Sequence, residues 1–180
     1  YALFAEWALN NTSPAGYNGL IVPTGIATDA ITQAYFRKLV EEQRLKSLYD
    51  FENSEGIFPA VHRSYKFCLL TQAGKENPQE EFDLAFYLTE IQHLHLDDTK
   101  FSLSKEDITR INPNTKNCPT FETAVDAQLV LNIYDETGAF IVEGKPDGNP
   151  WEADVHRMFN MSDDSGLFID LADIPFDEYD

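Results

Sequence analysis

An α/β fold built on a mixed sheet is what three features of the sequence predict. Gly19-Leu20-Ile21-Val22-Pro23 is a short continuous apolar run, the pattern of a strand buried on both faces of a parallel sheet. Beyond Thr24-Gly25, residues Ile31, Ala34, Tyr35, Leu39 and Val40 recur at helical spacing while Arg37, Lys38, Glu41 and Glu42 fall on the other side. Strand, loop and helix in that order are the rhythm of an α/β domain. The strand patterns at 45–51 and 64–71 are joined by too few residues for a crossover helix, so that pair is predicted antiparallel and the sheet mixed.

The elements follow in order. Ala2, Leu3, Phe4, Ala5, Trp7, Ala8 and Leu9 are too densely apolar for a half-wet strand, and they predict a buried helix over 1–10. Turn formers around Pro14 end it. Thr28 or Asp29 is placed to cap the second helix. In the strand at 45–51, Leu45, Ser47, Tyr49 and Phe51 alternate with Lys46, Leu48 and Asp50. The polar, proline-punctuated segment 75–81 marks a boundary between units 1–75 and 76–180. Past it, 82–91 reads as a strand, 103–111 as a helix capped by Ser104, and 123–134 as a longer helix with Ala124, Ala127, Val130, Leu131 and Tyr134 on one side. The remainder from Gly144 is irregular, so the second unit is expected to be a mostly helical and irregular extension.

Composition narrows the function. The 180 residues carry 13 Lys+Arg against 31 Asp+Glu, a net charge of −18. Residues 1–75 balance, with seven acids and seven bases, whereas 135–180 hold thirteen acids and two bases. Affinity for nucleic acid comes largely from neutralising phosphates, so the last third supplies no such surface by itself. That acidic end is either a solvated segment or a docking surface for a basic partner. No apolar run approaches the ~20 residues of a membrane span, and the first twelve positions lack the basic start of a secretory signal. The compartment reads as cytoplasmic. Cys68 and Cys118 show no C-x-x-C spacing, which suggests neither a disulfide framework nor a zinc site. His93 and His95, followed by Asp97-Asp98, are read as a chance pairing and no metal is expected. Tyr1 opens the chain inside a helical pattern, the expectation for a piece of a longer polypeptide.

The informative stretch runs from Phe51 through Gly56-Ile57-Phe58-Pro59-Ala60 to His62-Arg63-Ser64-Tyr65-Lys66 and on to Thr71. Together with 19–29, it resembles the adenine-specific (N6) DNA methyltransferases, in the branch that includes large restriction-modification enzymes. The resemblance continues through Asn112-Pro113-Asn114-Thr115, Cys118-Pro119-Thr120-Phe121, Asp126-Ala127 and 151–161, reaching about residue 168. It implies the C-terminal half of a class I S-adenosylmethionine-dependent methyltransferase fold, leading toward a target-recognition region.

Residue by residue, the resemblance places Phe58 where the family's F-P loop stacks an aromatic ring on an adenine swung out of the duplex. An extruded base has lost its stacking neighbours, and an aromatic face returns roughly 1–3 kcal/mol. Read without the family, Phe58 is equally a core ring among 13 phenylalanines. Phe4 resembles an aromatic that packs on the adenine of S-adenosylmethionine, with a helix-face core residue as the other reading. Thr24, Gly25 and Thr28 follow the carboxyl end of a predicted strand, where open α/β sheets bind ligands, although ordinary loop chemistry accounts for them. His62, Arg63 and Lys66 are the one tight basic group, placed either for DNA phosphates or on a solvated strand edge. Asn112-Pro113-Asn114-Thr115 is assigned to a helix-terminating turn.

Two features of such enzymes do not occur in these residues: a Gly-x-Gly loop for the cofactor and an Asn-Pro-Pro-aromatic tetrapeptide for the target amino group. In the family both precede the part seen here, so the chain alone is expected not to methylate. The expectation is a fragment of a DNA adenine-N6 methyltransferase, with S-adenosylmethionine and DNA engaged by the full-length enzyme. The alternatives are an acidic protein-interaction module or DNA mimic, and a related methyltransferase acting on RNA or protein glutamine.

Overall fold

The computed structural model describes residues 1–96 and 98–170. Its sheet has five strands: β1 (Tyr17–Pro23), β2 (Leu45–Glu52), β3 (Lys66–Ala73), β4 (Glu81–Leu88) and β5 (Phe101–Ser104), in the order β1-β3-β2-β4-β5. β3 runs antiparallel to both β1 and β2, β2 is parallel to β4, and β4 is antiparallel to β5. The sheet is therefore mixed, and β1, β2 and β4 share one direction. The helices are α1 (Ala2–Asn10), α2 (Gly25–Thr28), α3 (Gln33–Glu41), α4 (Lys105–Ile111) and α5 (Ala124–Thr137). No helix among the described residues is long and apolar enough to cross a membrane.

One face of the sheet carries the main core. Side chains alternate along a strand, so Cys68 and Leu70 of β3 join Leu48 of β2 and Leu84 of β4 beneath Phe36, Leu39 and Val40 of α3, Leu9 of α1 and Ile108 of α4. The opposite face is thinly covered. Phe51, Ala85 and Leu88 form a small cluster there with Phe67, Leu69 and Ile57. Arg44 is buried where it closes the sheet's lower end, its guanidinium donating to Ala73 O (2.9 Å) and to Leu9 O (2.8 Å).

Four expectations need correction. The first helix is not buried: Ala5 and Leu9 point inward, while Leu3, Phe4 and Trp7 face solvent. β1 is an edge strand with β3 as its one neighbour, not a strand covered on both faces, and Ile21 is exposed. Unbroken apolarity was the wrong discriminator, because Gly19 and Pro23 are equally at home on an edge. Neither Thr28 nor Asp29 caps the second helix; α2, a 3-10 turn over Ala30–Thr32 and α3 follow one another, with Thr32 Oγ1 donating to Asp29 O. Finally, 101–104 is a strand, with Phe101 and Leu103 inward, and the helix begins only at Lys105. Ser104 caps that helix as expected, in a capping box with Asp107, and Thr123 does the same for α5 with Asp126.

Segment 75–81 lies between β3 and β4. The sheet continues across it, since β4 pairs with β2, and the core draws Phe82, Leu103, Ile108 and Ala127 from beyond it. The part of the acidic end past residue 170 lies outside the described residues.

Both cysteines are free and buried. Burial, followed by the field of Asp50, pushes the Cys68 thiol up to about 12. A raised folded value for an acid means the neutral form is favoured, so the contribution is complete below about pH 8.5, the range of an unfolded thiol, and is lost as pH climbs toward 12. Native protein is thus expected to leave Cys68 unmodified by a thiol reagent at pH 8, with reaction appearing only on unfolding; stability measured by urea should decline through the alkaline range.

Candidate functional site

Residues 53–65 connect β2 to β3 at the carboxyl end of the parallel strands. One side chain organises this loop. Asn53 is fully buried; its Nδ2 donates to Phe58 O (3.1 Å) and Val61 O (3.0 Å), and its Oδ1 accepts from Phe58 N–H (2.8 Å). Its own N–H donates to Tyr65 O at 3.0 Å, which ties the loop's exit to its entrance. Gly56 turns the chain at φ +76, a conformation that a side chain disfavours. The ring of Pro59 restricts Phe58 to extended backbone.

Phe58 is thereby held at 37% exposure beside a wholly apolar cavity of about 160 Å³, lined by Ile21, Phe51, Ile57, Phe67, Leu69 and Ile91. Phe67 meets it edge-on (centroids 4.9 Å, 74°) and itself stacks on Phe51 (5.4 Å, 9°). The ring is buttressed on one side and open on another.

The basic group beside it is largely engaged. Arg63 donates from Nη1 to Ser54 O, and its guanidinium lies over Gly56. Lys66 places its ammonium 5.2 Å from the centroid of the Tyr87 ring. His62 Nδ1 accepts from Ser64 N–H (3.2 Å) and lies 2.8 Å from Ser64 Oγ.

Phe4 sits elsewhere. It is exposed on α1, stacked with Trp7 at 6.0 Å, on the face of the sheet that carries Leu70. Phe67 and Leu69, against which Phe58 lies, point to the other face, so the fold does not bring Phe4 and Phe58 together. Glu6 of the same helix pairs with Lys38 at 3.5 Å, and exposed Tyr1, Leu3 and Trp7 around Phe4 offer apolar contact. Those residues suit an adenine ring and do not fit the ribose or amino-acid part of S-adenosylmethionine.

Across the sheet from the Phe58 cavity lies a polar pocket of about 370 Å³, bordered by Thr24, Asp50, Ser64, Tyr65, Lys66 and Tyr87, with Thr28 and Thr120 at its wall. Sequence reasoning placed Thr24, Gly25 and Thr28 at a ligand-binding strand end and overlooked Asp50. An acid within a strand is a depleted choice, and that was the available signal. Nothing local in the sequence distinguishes Asn53 from an ordinary turn residue. His93 and His95 lie in a 3-10 turn at Ile91–His95, and Asp97 is outside the described residues. Among the described residues no group of three metal-ligating side chains converges. Asn112 and Asn114 serve structure, donating to Asn117 O (2.9 Å) and Ile141 O (3.0 Å).

No family model and no curated protein matches the chain. Solved structures do. A chain of a type I R-M system, solved for its complex assembly and conformational transition, is similar over 76% of this chain and 36% of its own, at 12% identity and a TM-score of 0.48. A modification subunit of a putative type I restriction enzyme from Vibrio vulnificus YJ016 covers 67% of this chain and 31% of its own, at 11% identity and TM-score 0.47. The type I restriction-modification methyltransferase subunit from Streptococcus thermophilus covers 59% and 27%, at 15% identity and TM-score 0.43. The chain spans little more than a third of the first of these and less of the others.

Proposed function

We propose that the chain is the C-terminal half of a class I methyltransferase domain of restriction-modification type, a cytoplasmic DNA adenine-N6 methyltransferase. Residues 76–180 complete its sheet with β4 and β5 and then extend toward a target-recognition region. S-adenosylmethionine, bound by the complete enzyme, supplies the methyl group. Residues 1–180 contain no Gly-x-Gly loop and no Asn-Pro-Pro-aromatic tetrapeptide, so methyl transfer belongs to the complete enzyme.

One observation carries this reading: Phe58, clamped by Asn53 and Pro59, stands half open at an apolar cavity. A core phenylalanine needs no such clamp. A ring that receives a planar base does, because an ordered, buttressed face loses little freedom on stacking. Phe67, itself backed by Phe51, meets the ring edge-on, and the apolar lining offers water no hydrogen-bond partner in competition with the base.

In the complete enzyme, Phe58→Ala is expected to lower methyl transfer to a duplex substrate roughly 5- to 150-fold, the equivalent of 1–3 kcal/mol of stacking. Cofactor affinity should stay within about twofold of the original. Unchanged turnover would remove Phe58 from the site, and a tenfold weaker cofactor complex would place it in the cofactor pocket instead.

A further inference from the structure

Three irregularities coincide at the polar pocket on the helix-bearing side of the sheet. The first is Asp50, only 2% exposed, which makes no ion pair among the described residues. It accepts from Thr24 Oγ1 on one oxygen and from Tyr87 N–H (3.2 Å) on the other. A carboxylate has room for about four donors, and a buried one short of them is costly. The second is Tyr87, whose φ of +60 is rare for an aromatic residue and strained. The third is a register shift between β2 and β4, from Tyr49↔Ala85 to Phe51↔Leu88, which inserts one extra residue in β4. Bulges of this kind re-aim side chains beside functional sites. Here the bulge turns the Tyr87 N–H onto Asp50 and sets the Tyr87 hydroxyl 3.0 Å from Thr120 Oγ1.

The pocket lies at the carboxyl ends of three parallel strands, the ordinary ligand position in an open α/β sheet. Its floor is an acceptor with spare capacity. Its rim carries two exposed aromatic side chains, Tyr65 and Tyr87, one cation, Lys66, which lies over one face of the Tyr87 ring, and a further exposed carboxylate, Asp29. Ser64 and Tyr65 end the same connection that holds Phe58, and Lys66 follows at the start of β3, so one loop furnishes walls to both cavities.

We propose that this pocket is a nucleotide subsite: Asp50 accepts N–H donors from an amino-bearing nucleobase, a rim tyrosine stacks on the base, and Lys66 meets its phosphate. The choice of a nucleotide over another amine rests on the DNA reading above. Adenine, cytosine and guanine carry the exocyclic amino group that a carboxylate acceptor selects, and thymine does not.

The test is direct binding of AMP, CMP, GMP and TMP to the 180-residue chain by calorimetry. At least one amino-bearing monophosphate should bind roughly tenfold or more tightly than TMP. Asp50→Asn should abolish that preference, leaving TMP unchanged. Lys66→Met, at an exposed rim position, should weaken the monophosphates several-fold and leave the corresponding nucleosides unaffected. The proposal is overturned if TMP binds as well as the others, if Lys66→Met affects nucleosides and monophosphates alike, or if no monophosphate binds by about 10 mM. Equal occupancy by a free amino acid, competing at Asp50, would also overturn it. Phe58→Ala should leave the Asp50-dependent preference over TMP intact, so a failure here and a failure of the methyl-transfer reading are separately visible.

Discussion

Replacing Asn53 by alanine is expected to destabilise the protein by roughly 2–4 kcal/mol and to lower methyl transfer in the complete enzyme at least as far as Phe58→Ala does. The reason is local and countable. The side chain satisfies Phe58 N–H and Val61 C=O and shares Phe58 C=O with Val61 N–H, so its removal leaves the first two without partners unless the loop opens to water. Opening restores hydration but frees the ring, so stability and stacking fail together. Ser54 is the control: its Oγ is buried and bonded to nothing, so Ser54→Ala should be neutral or slightly stabilising. Urea midpoints for the two variants, beside single-turnover methylation, check the claim; equal midpoints would show that the loop is held by other contacts.

Phe36→Ala has the larger effect on stability alone, an expected loss of about 3–5 kcal/mol. Phe36 is fully buried on α3, within the cluster that joins helices to sheet. Truncation leaves a cavity in a layer whose neighbours, Leu39, Leu48 and Leu70, are fixed by helix and strand backbone and collapse only in part. Chemical denaturation measures it directly, and a loss under about 1 kcal/mol would mean that the layer repacks freely. Phe36 belongs to a different cluster from Phe51 and Phe67, which back the Phe58 ring, so methyl transfer by the folded complete enzyme should be unchanged.

Much of the sheet was readable from the residues because hydrophobic period and turn chemistry are local. The short β2–β3 connection required antiparallel pairing, and Ser104 announced its helix through capping chemistry. What failed was environment. α1 and β1 are apolar enough to be interior, yet Leu3, Trp7 and Ile21 are solvent-facing, since periodicity reports which residues favour burial and not whether a neighbour exists to bury them. β5 was hidden because four residues ending in a helix cap look like the start of that helix. At the site, the family likeness led to Phe58, while Asn53 and Asp50 emerged only from three-dimensional hydrogen bonding. A polar residue's burial depends on partners distant in sequence, such as Thr24 and Tyr87 for Asp50.

The proposed contact between the Phe58 ring and an extruded base is open to photochemistry. With 5-iodouracil in place of the target adenine, irradiation of the complete enzyme on its duplex should attach the base to Phe58, and Phe58→Leu should abolish that adduct while duplex binding persists. An adduct that forms undiminished in the leucine variant, or one that maps to another aromatic side chain, would contradict the account.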